Sequence, residues 1–310
     1  MPSILVTYDG DKIETRRFPG RLRGLSWNST GSSLLLVGNA GKALSVQDDD
    51  STTNLETKTR HNLRSVSVNP MDNTALIVGN SGTIIRIKEN DTPTKLNSPT
   101  SENLRAARWN ANGSMALIAG NNGALLKLKG NELEIMDDGQ ANLRGISWHN
   151  DANQALITSN CFAEEFIPSP NLFAFDAKEG TLKPISAGRA DFIGVDWNPS
   201  GEYAVVVGYD VIWHTGFIGR FDKLGLSSVD FQNLHIYPTA VGWDKTGKVA
   251  AIATSTPQPQ SGEGRIILWD GHEVREIYRN EEFFFSSIRW SPSRFKLAAI
   301  ASTDSRTFNS

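Results

Sequence analysis

With 310 residues, 31 Lys plus Arg against 34 Asp plus Glu and a formal net charge of −3, the chain carries no electrostatic bias toward a polyanion, which argues against nucleic-acid binding. Apolar residues at 39% and charged residues at 21% are ordinary for a globular protein and exclude bulk disorder. A single cysteine, Cys161, rules out an intrachain disulfide, and no uninterrupted apolar stretch approaches the roughly 18 residues of a membrane helix.

In chain order, Ser3-Ile4-Leu5-Val6-Thr7-Tyr8 and Lys12-Ile13-Glu14-Thr15-Arg16 read as two strands that precede the first full repeat. The opening residues lack both a basic segment and a long apolar one, so a cytoplasmic protein without a membrane segment is expected. A frame of apolar, x, x, apolar, x, Trp then begins at Leu22-Arg23-Gly24-Leu25-Ser26-Trp27. It returns at Leu63 to Val68, Leu104 to Trp109, Leu143 to Trp148, Phe192 to Trp197, Pro238 to Trp243 and Phe285 to Trp290. The anchors at 27, 68, 109, 148, 197, 243 and 290 are separated by 39 to 49 residues, which is the spacing of a repeat architecture.

Inside each unit the anchor is followed by a turn of Asn, Pro, Asp and Gly, as in Trp109-Asn110-Ala111-Asn112-Gly113. A short apolar run comes next, such as Ala75-Leu76-Ile77-Val78 or Ala204-Val205-Val206-Val207, with the length and branching of a strand buried on both faces. A tight Gly-Asn-x-Gly turn follows in the first three units, at Gly38, Gly79 and Gly120, then a third strand and a more polar fourth. Seven such units make an all-β, seven-bladed β-propeller of four-stranded antiparallel blades. The last unit has only two strands of its own, so the N-terminal pair is expected to complete it, making residues 1–310 one propeller domain. The anchor tryptophans Trp27, Trp109, Trp148, Trp197, Trp243 and Trp290 are expected to pack blade against blade.

This pattern, with the strand ending Leu268-Trp269-Asp270 and its softened forms Phe175-Asp176 and Phe221-Asp222, resembles the WD-repeat (WD40-like) propellers along the whole chain. The Gly-His pair of that family is missing before the first strand, since Gly271-His272 falls before a fourth one, so the family's Asp-His brace is not expected. The first three units are also similar to propellers of the photosystem II assembly factor type.

No close-spaced His or Cys cluster signals a metal, and no nucleophile elbow, P-loop or dinucleotide fingerprint occurs; no cofactor is implied. The acidic run Asp48-Asp49-Asp50 is expected to be a solvated turn. The informative feature is an arginine four residues before the anchor in four consecutive units: Arg23, Arg64, Arg105 and Arg144, replaced by Ile193, Thr239 and Ser286 in the rest. At the start of the innermost strands these guanidiniums line an arc of the channel mouth and suit a carboxylate or phosphate.

Two readings of the arginines stand. They bind a ligand, or they brace the neighbouring blade through its carbonyls, with Asn62, Asn103 and Asn142 capping the turns. The same face carries longer loops in units four to six, where Glu164 and Glu165 are placed to pair with the arginines and where Tyr209, Trp213 and His214, with Phe217, form an aromatic anchor or pack on their own blade. By the resemblance, WD-repeat propellers that read acidic or phosphorylated peptides place arginines at this position. The expected function is a non-catalytic scaffold for an acidic or phosphorylated protein segment, with binding residues Arg23, Arg64, Arg105, Arg144, Tyr209, Trp213 and His214. The alternative is a hydrolase or lyase in the channel mouth using His214 or His149 with a loop carboxylate.

Overall fold

The apolar runs of the sequence are strands with no face left for solvent. In a computed structural model of the chain, which describes residues 1–88, 91–138, 141–160, 169–188, 190–210, 215–229, 231, 236–255 and 263–303, Leu76, Ile77, Leu117, Ile118, Val205 and Val206 are all fully buried. The alternation of strand side chains explains how. Ala116 and Ile118 pack with Leu76 and Val78 of the preceding sheet, while Leu117 and Ala119 pack with Leu143, Ile146 and Ile157 of the next. Each second strand thus feeds two inter-sheet layers, and the core is a set of such layers.

Blade 1 comprises Leu22–Trp27, Ser33–Gly38, Ala43–Gln47 and Thr52–Asn54, and the other blades repeat this inner-to-outer order. The seven sheets are four-stranded and antiparallel, and inner strands of successive blades touch all the way round the ring. Blade 7 joins both termini: Phe284–Trp290 and Leu297–Ser302 are followed by Ser3–Tyr8 and Ile13–Phe18. The closing register runs from Ser3↔Ser302 to Tyr8↔Leu297, so the first strand of the chain is clamped between the last one and its own hairpin partner. No helix among the described residues is long and apolar enough to cross a membrane.

The acidic run is an exposed turn, as expected, and lies beside that seam. Asp48 bonds Arg294 and sits 3.6 Å from Lys296, both of blade 7, whereas Asp49 has no such partner and Asp50 approaches Arg16 at 3.8 Å.

The anchors join the blades by two alternative hydrogen bonds. Where the residue before the anchor carries a side-chain oxygen, that oxygen accepts the anchor amide of the next blade: Ser26 from Val68, Ser67 from Trp109, Ser147 from Trp197 and Asp196 from Trp243. Where that residue is Arg108, Gly242 or Arg289, its backbone carbonyl instead accepts the indole Nε1–H of the next anchor, from Trp148, Trp290 and Trp27 respectively, at 3.0–3.1 Å. The indole nitrogens of Trp109, Trp197 and Trp243 are buried without a hydrogen bond.

Candidate functional site

Every innermost strand carries a register shift at the same place. Pairing jumps from Leu22 to Gly24, Leu63 to Ser65, Leu104 to Ala106, Leu143 to Gly145, Phe192 to Gly194, Pro238 to Ala240 and Phe285 to Ser287. The skipped residues are Arg23, Arg64, Arg105, Arg144, Ile193, Thr239 and Ser286, the seven positions four before the anchors. A β-bulge leaves its extra residue out of the ladder and re-aims its side chain. All seven line one cavity of about 210 Å³ on the ring axis. The residue after each bulge is small, and an added Cβ on Gly24 or Gly145 would meet the carbonyl of Arg64 or Ile193 in the next blade at 3.0 Å.

The four arginines share one brace. Nε donates to the side-chain oxygen of the asparagine sixteen residues on in the same blade: Arg23 to Asn39 at 2.6 Å, Arg64 to Asn80 at 2.8 Å, Arg105 to Asn121 at 2.9 Å and Arg144 to Asn160 at 3.0 Å. The expected brace to a carbonyl of the neighbouring blade is corrected: Nε is held by a side chain of its own blade, so these bonds fix the arginine and do not join one blade to the next. The terminal nitrogens of Arg64 and Arg105 make no hydrogen bond to any described residue.

The tight turns that present these asparagines require their glycines. A Cβ on Gly38 would fall 2.1 Å from the Arg21 carbonyl oxygen, and Gly41 has φ +70° with the Thr59 oxygen 1.9 Å from its Cβ position. Asn62, Asn103 and Asn142 cap the preceding blade's turn as expected, accepting the amides of Ala40, Ser81 and Asn122 at 3.1 Å.

The charge in this cavity is one-sided. Arg23, Arg64, Arg105, Arg144, Arg108 and Arg289 line it, and among the described residues no carboxylate does. Burial, then the neighbouring charges of Arg23, Arg21 and Arg144, push the pKa of Arg64 down to about 9; burial with Arg64 and Arg144 does the same to Arg105. Burial lowers Arg144 as well, against which Asp191 and Tyr209 act, so Tyr209 lies in the electrostatic neighbourhood of the arc. Phe217 stacks on Phe192 of its own blade at 4.9 Å, the packing outcome of its two readings. Trp213, His214, Glu164 and Glu165 lie outside the described residues.

His149 is at the other end of its strand, after Trp148, where Nε2 meets the Gly201 carbonyl at 3.0 Å and Nδ1 lies 3.2 Å from Asp151. Asn69, Asn110 and Asn198, which occupy the same slot, likewise tie their turn to the next blade through a carbonyl. His149 is thus a member of the opposite rim and does not face the arginine arc. No group of three or more metal-ligating side chains occurs among the described residues.

Sequence reasoning missed three things here. The Asn brace had a signal, because position +16 is Asn in the four arginine units and Tyr209, Ser255 and Ser302 in the others. The bulge had one in the row of small residues after the arginine slot. Arg108 and Arg289, deeper in the channel, occupy a slot held by Ser, Gly or Asp in the other blades.

The sequence matches no protein-family model and no curated relative. Among solved structures the fold is similar to a hydrazine synthase of Kuenenia stuttgartiensis, with TM-score 0.69 and 12% identity over 88% of this chain and 90% of that one. It is also similar to the Cps50 (Swd1) β-propeller domain of Myceliophteria thermophila, with TM-score 0.67 and 13% identity over 94% and 98% of the two chains. A TolB-type chain from Agrobacterium tumefaciens has TM-score 0.61 and 14% identity over 97% and 98%. At these identities the likeness concerns the fold.

Proposed function

We propose that this propeller is a non-catalytic interaction platform of WD-repeat type whose channel mouth captures an acidic or phosphorylated segment of another protein. The observation that carries the reading is the four bulge arginines Arg23, Arg64, Arg105 and Arg144 converging on one cavity with no carboxylate among its described lining residues, in a chain of net charge −3. Converging guanidiniums gain little by facing one another and much by facing a phosphate, to which each presents a planar pair of donors. The Asn braces support it further, since they hold Nε and, at Arg64 and Arg105, leave the outer edge of the fork for a ligand, so less side-chain entropy is lost on binding. Tyr209, in the electrostatic neighbourhood of the arc, contributes to choosing the partner in this reading. The likeness to the Swd1 propeller is in keeping with a scaffold role, and the likeness to hydrazine synthase, an enzyme, carries no catalytic residue across.

The test is fluorescence anisotropy with a labelled peptide bearing two phosphoserines, its unphosphorylated form and a glutamate form. Micromolar binding that follows phosphate content, weakens with salt and falls at least a hundredfold in the Arg64→Gln/Arg105→Gln/Arg144→Gln variant is expected. Equal binding of the three peptides, or wild-type affinity in the variant, refutes it.

A further inference from the structure

Further along the inner strands than the arginine arc stands a second ring, the waist, of residues that precede the anchors: Ser26, Ser67, Arg108, Ser147, Asp196, Gly242 and Arg289, of which Arg108 and Arg289 line the same cavity as the arc. The serines and Asp196 are committed to the blade-joining bonds already described, and Ser147 Oγ also donates to Asp196 Oδ1 at 3.1 Å. The two arginines are not comparably satisfied. Arg108 makes no hydrogen bond from its guanidinium to any described residue, and its approach to Asp196, 3.9 Å, is too long for one. Arg289 gives Nη1 to the carbonyls of Ile288 and Val241, while its Nε is buried without an acceptor. Two guanidiniums stand against one carboxylate, leaving a single uncompensated positive charge at the waist.

A half-buried, under-bonded cationic pair with a surplus of one charge is completed by one small acceptor of charge −1. A phosphate dianion would overshoot the charge of this pair. We infer that the waist, between Arg108 and Arg289, is a binding site for a monovalent inorganic anion of halide size. The site is separate from the proposed capture of a phosphorylated segment at the mouth. Its burial, with the repulsion of Arg108, lowers Arg289 to about 9, an electrostatic load that the anion relieves.

The anion makes the ring more stable, because it binds the folded state only. The full chain is dialysed into gluconate, and its thermal midpoint is followed as sodium bromide or chloride replaces gluconate at constant ionic strength. A saturable rise is expected that is reduced severalfold or lost in Arg108→Gln and retained in Arg64→Gln/Arg105→Gln. In Asp196→Asn, which keeps an acceptor for the Trp243 amide and raises the surplus charge, half-saturation should shift to lower halide. Bromide-soaked crystals of the wild-type protein should show an anomalous peak in contact with Arg108 and Arg289, a readout that does not depend on any variant folding. A midpoint indifferent to the anion, a halide response unchanged in Arg108→Gln, or bromide found only among the mouth arginines overturns the inference. The last two results would leave the mouth reading intact, whereas loss of peptide binding alone would leave the waist site intact.

Discussion

Replacing Asn80 and Asn121 by aspartate changes two atoms and leaves the geometry of the arginine arc in place. The acceptors 2.8 and 2.9 Å from Nε of Arg64 and Arg105 become carboxylates, so each neutral brace becomes an ion pair. A guanidinium–carboxylate bond is stronger than the neutral-acceptor bond by about 1 kcal/mol, after the cost of desolvating the new charge. For a chain of this size that is about 2 °C in melting midpoint per site, roughly 4 °C for the pair. Binding of an anion moves the other way. A new negative charge about 8 Å from a bound phosphate, counted as one net charge once an arginine pairs with it, costs roughly 2 kcal/mol at an effective dielectric constant of 20, and about half that once physiological salt screens it. The double variant Asn80→Asp/Asn121→Asp should therefore melt higher and bind the doubly phosphorylated peptide roughly 30-fold to 1,000-fold more weakly, the range set by screening. Calorimetric melting and anisotropy on the same preparation read both. A variant that melts lower, or that keeps wild-type affinity while melting higher, refutes the idea that these asparagines hold uncompensated cations for a ligand.

Five further outcomes follow from the same geometry. Arg64 and Arg105 titrate near 9, so peptide binding measured from pH 7.5 to 10 should weaken as pH rises through 9, where the folded protein loses those charges. The sign for folding is opposite: both pKa values lie below their ordinary value, the unfolded chain holds more protons above pH 9, and the unliganded fold gains stability there, a gain that Arg64→Gln/Arg105→Gln should reduce in denaturant titrations at pH 8 and 10. Trp148→Phe breaks the indole bond to the Arg108 carbonyl and should cost about 1 kcal/mol more than Trp197→Phe, whose lost N–H has no acceptor; urea midpoints of the two variants measure the difference. Gly38→Ala drives a Cβ to 2.1 Å from the Arg21 carbonyl oxygen and should lower stability by more than about 2 kcal/mol, with a loss of Tm to match. Asp48→Asn loosens only a half-exposed pair with Arg294 and Lys296, so its cost should stay within about 1 kcal/mol and disappear in molar salt.

Much of this was legible before any coordinate. The anchors at 27, 68, 109, 148, 197, 243 and 290 set seven units because an unpaired four-stranded sheet cannot cover both of its faces, and only stacking on two neighbours buries runs such as Ala116 to Ala119. The shared last blade follows from the same rule, since two orphan strands at each end must pair or leave an edge open. The arginine slot was visible too, as a residue type repeated at one phase of the repeat.

What the tertiary structure decided is where those side chains point and what they lack. A bulge is a mismatch between two strands, so the turning of Arg23, Arg64, Arg105 and Arg144 toward the axis depends on the register with Gly38, Gly79, Gly120 and Ser159 rather than on the local segment. Charge balance is likewise a property of the assembled ring. Arg108, Asp196 and Arg289 come from three blades and are far apart in the chain, and their imbalance exists only because the inner strands meet around one axis. Periodicity along a chain reports which face of each strand is covered; it carries no term for the sum of charges that closure brings to the centre.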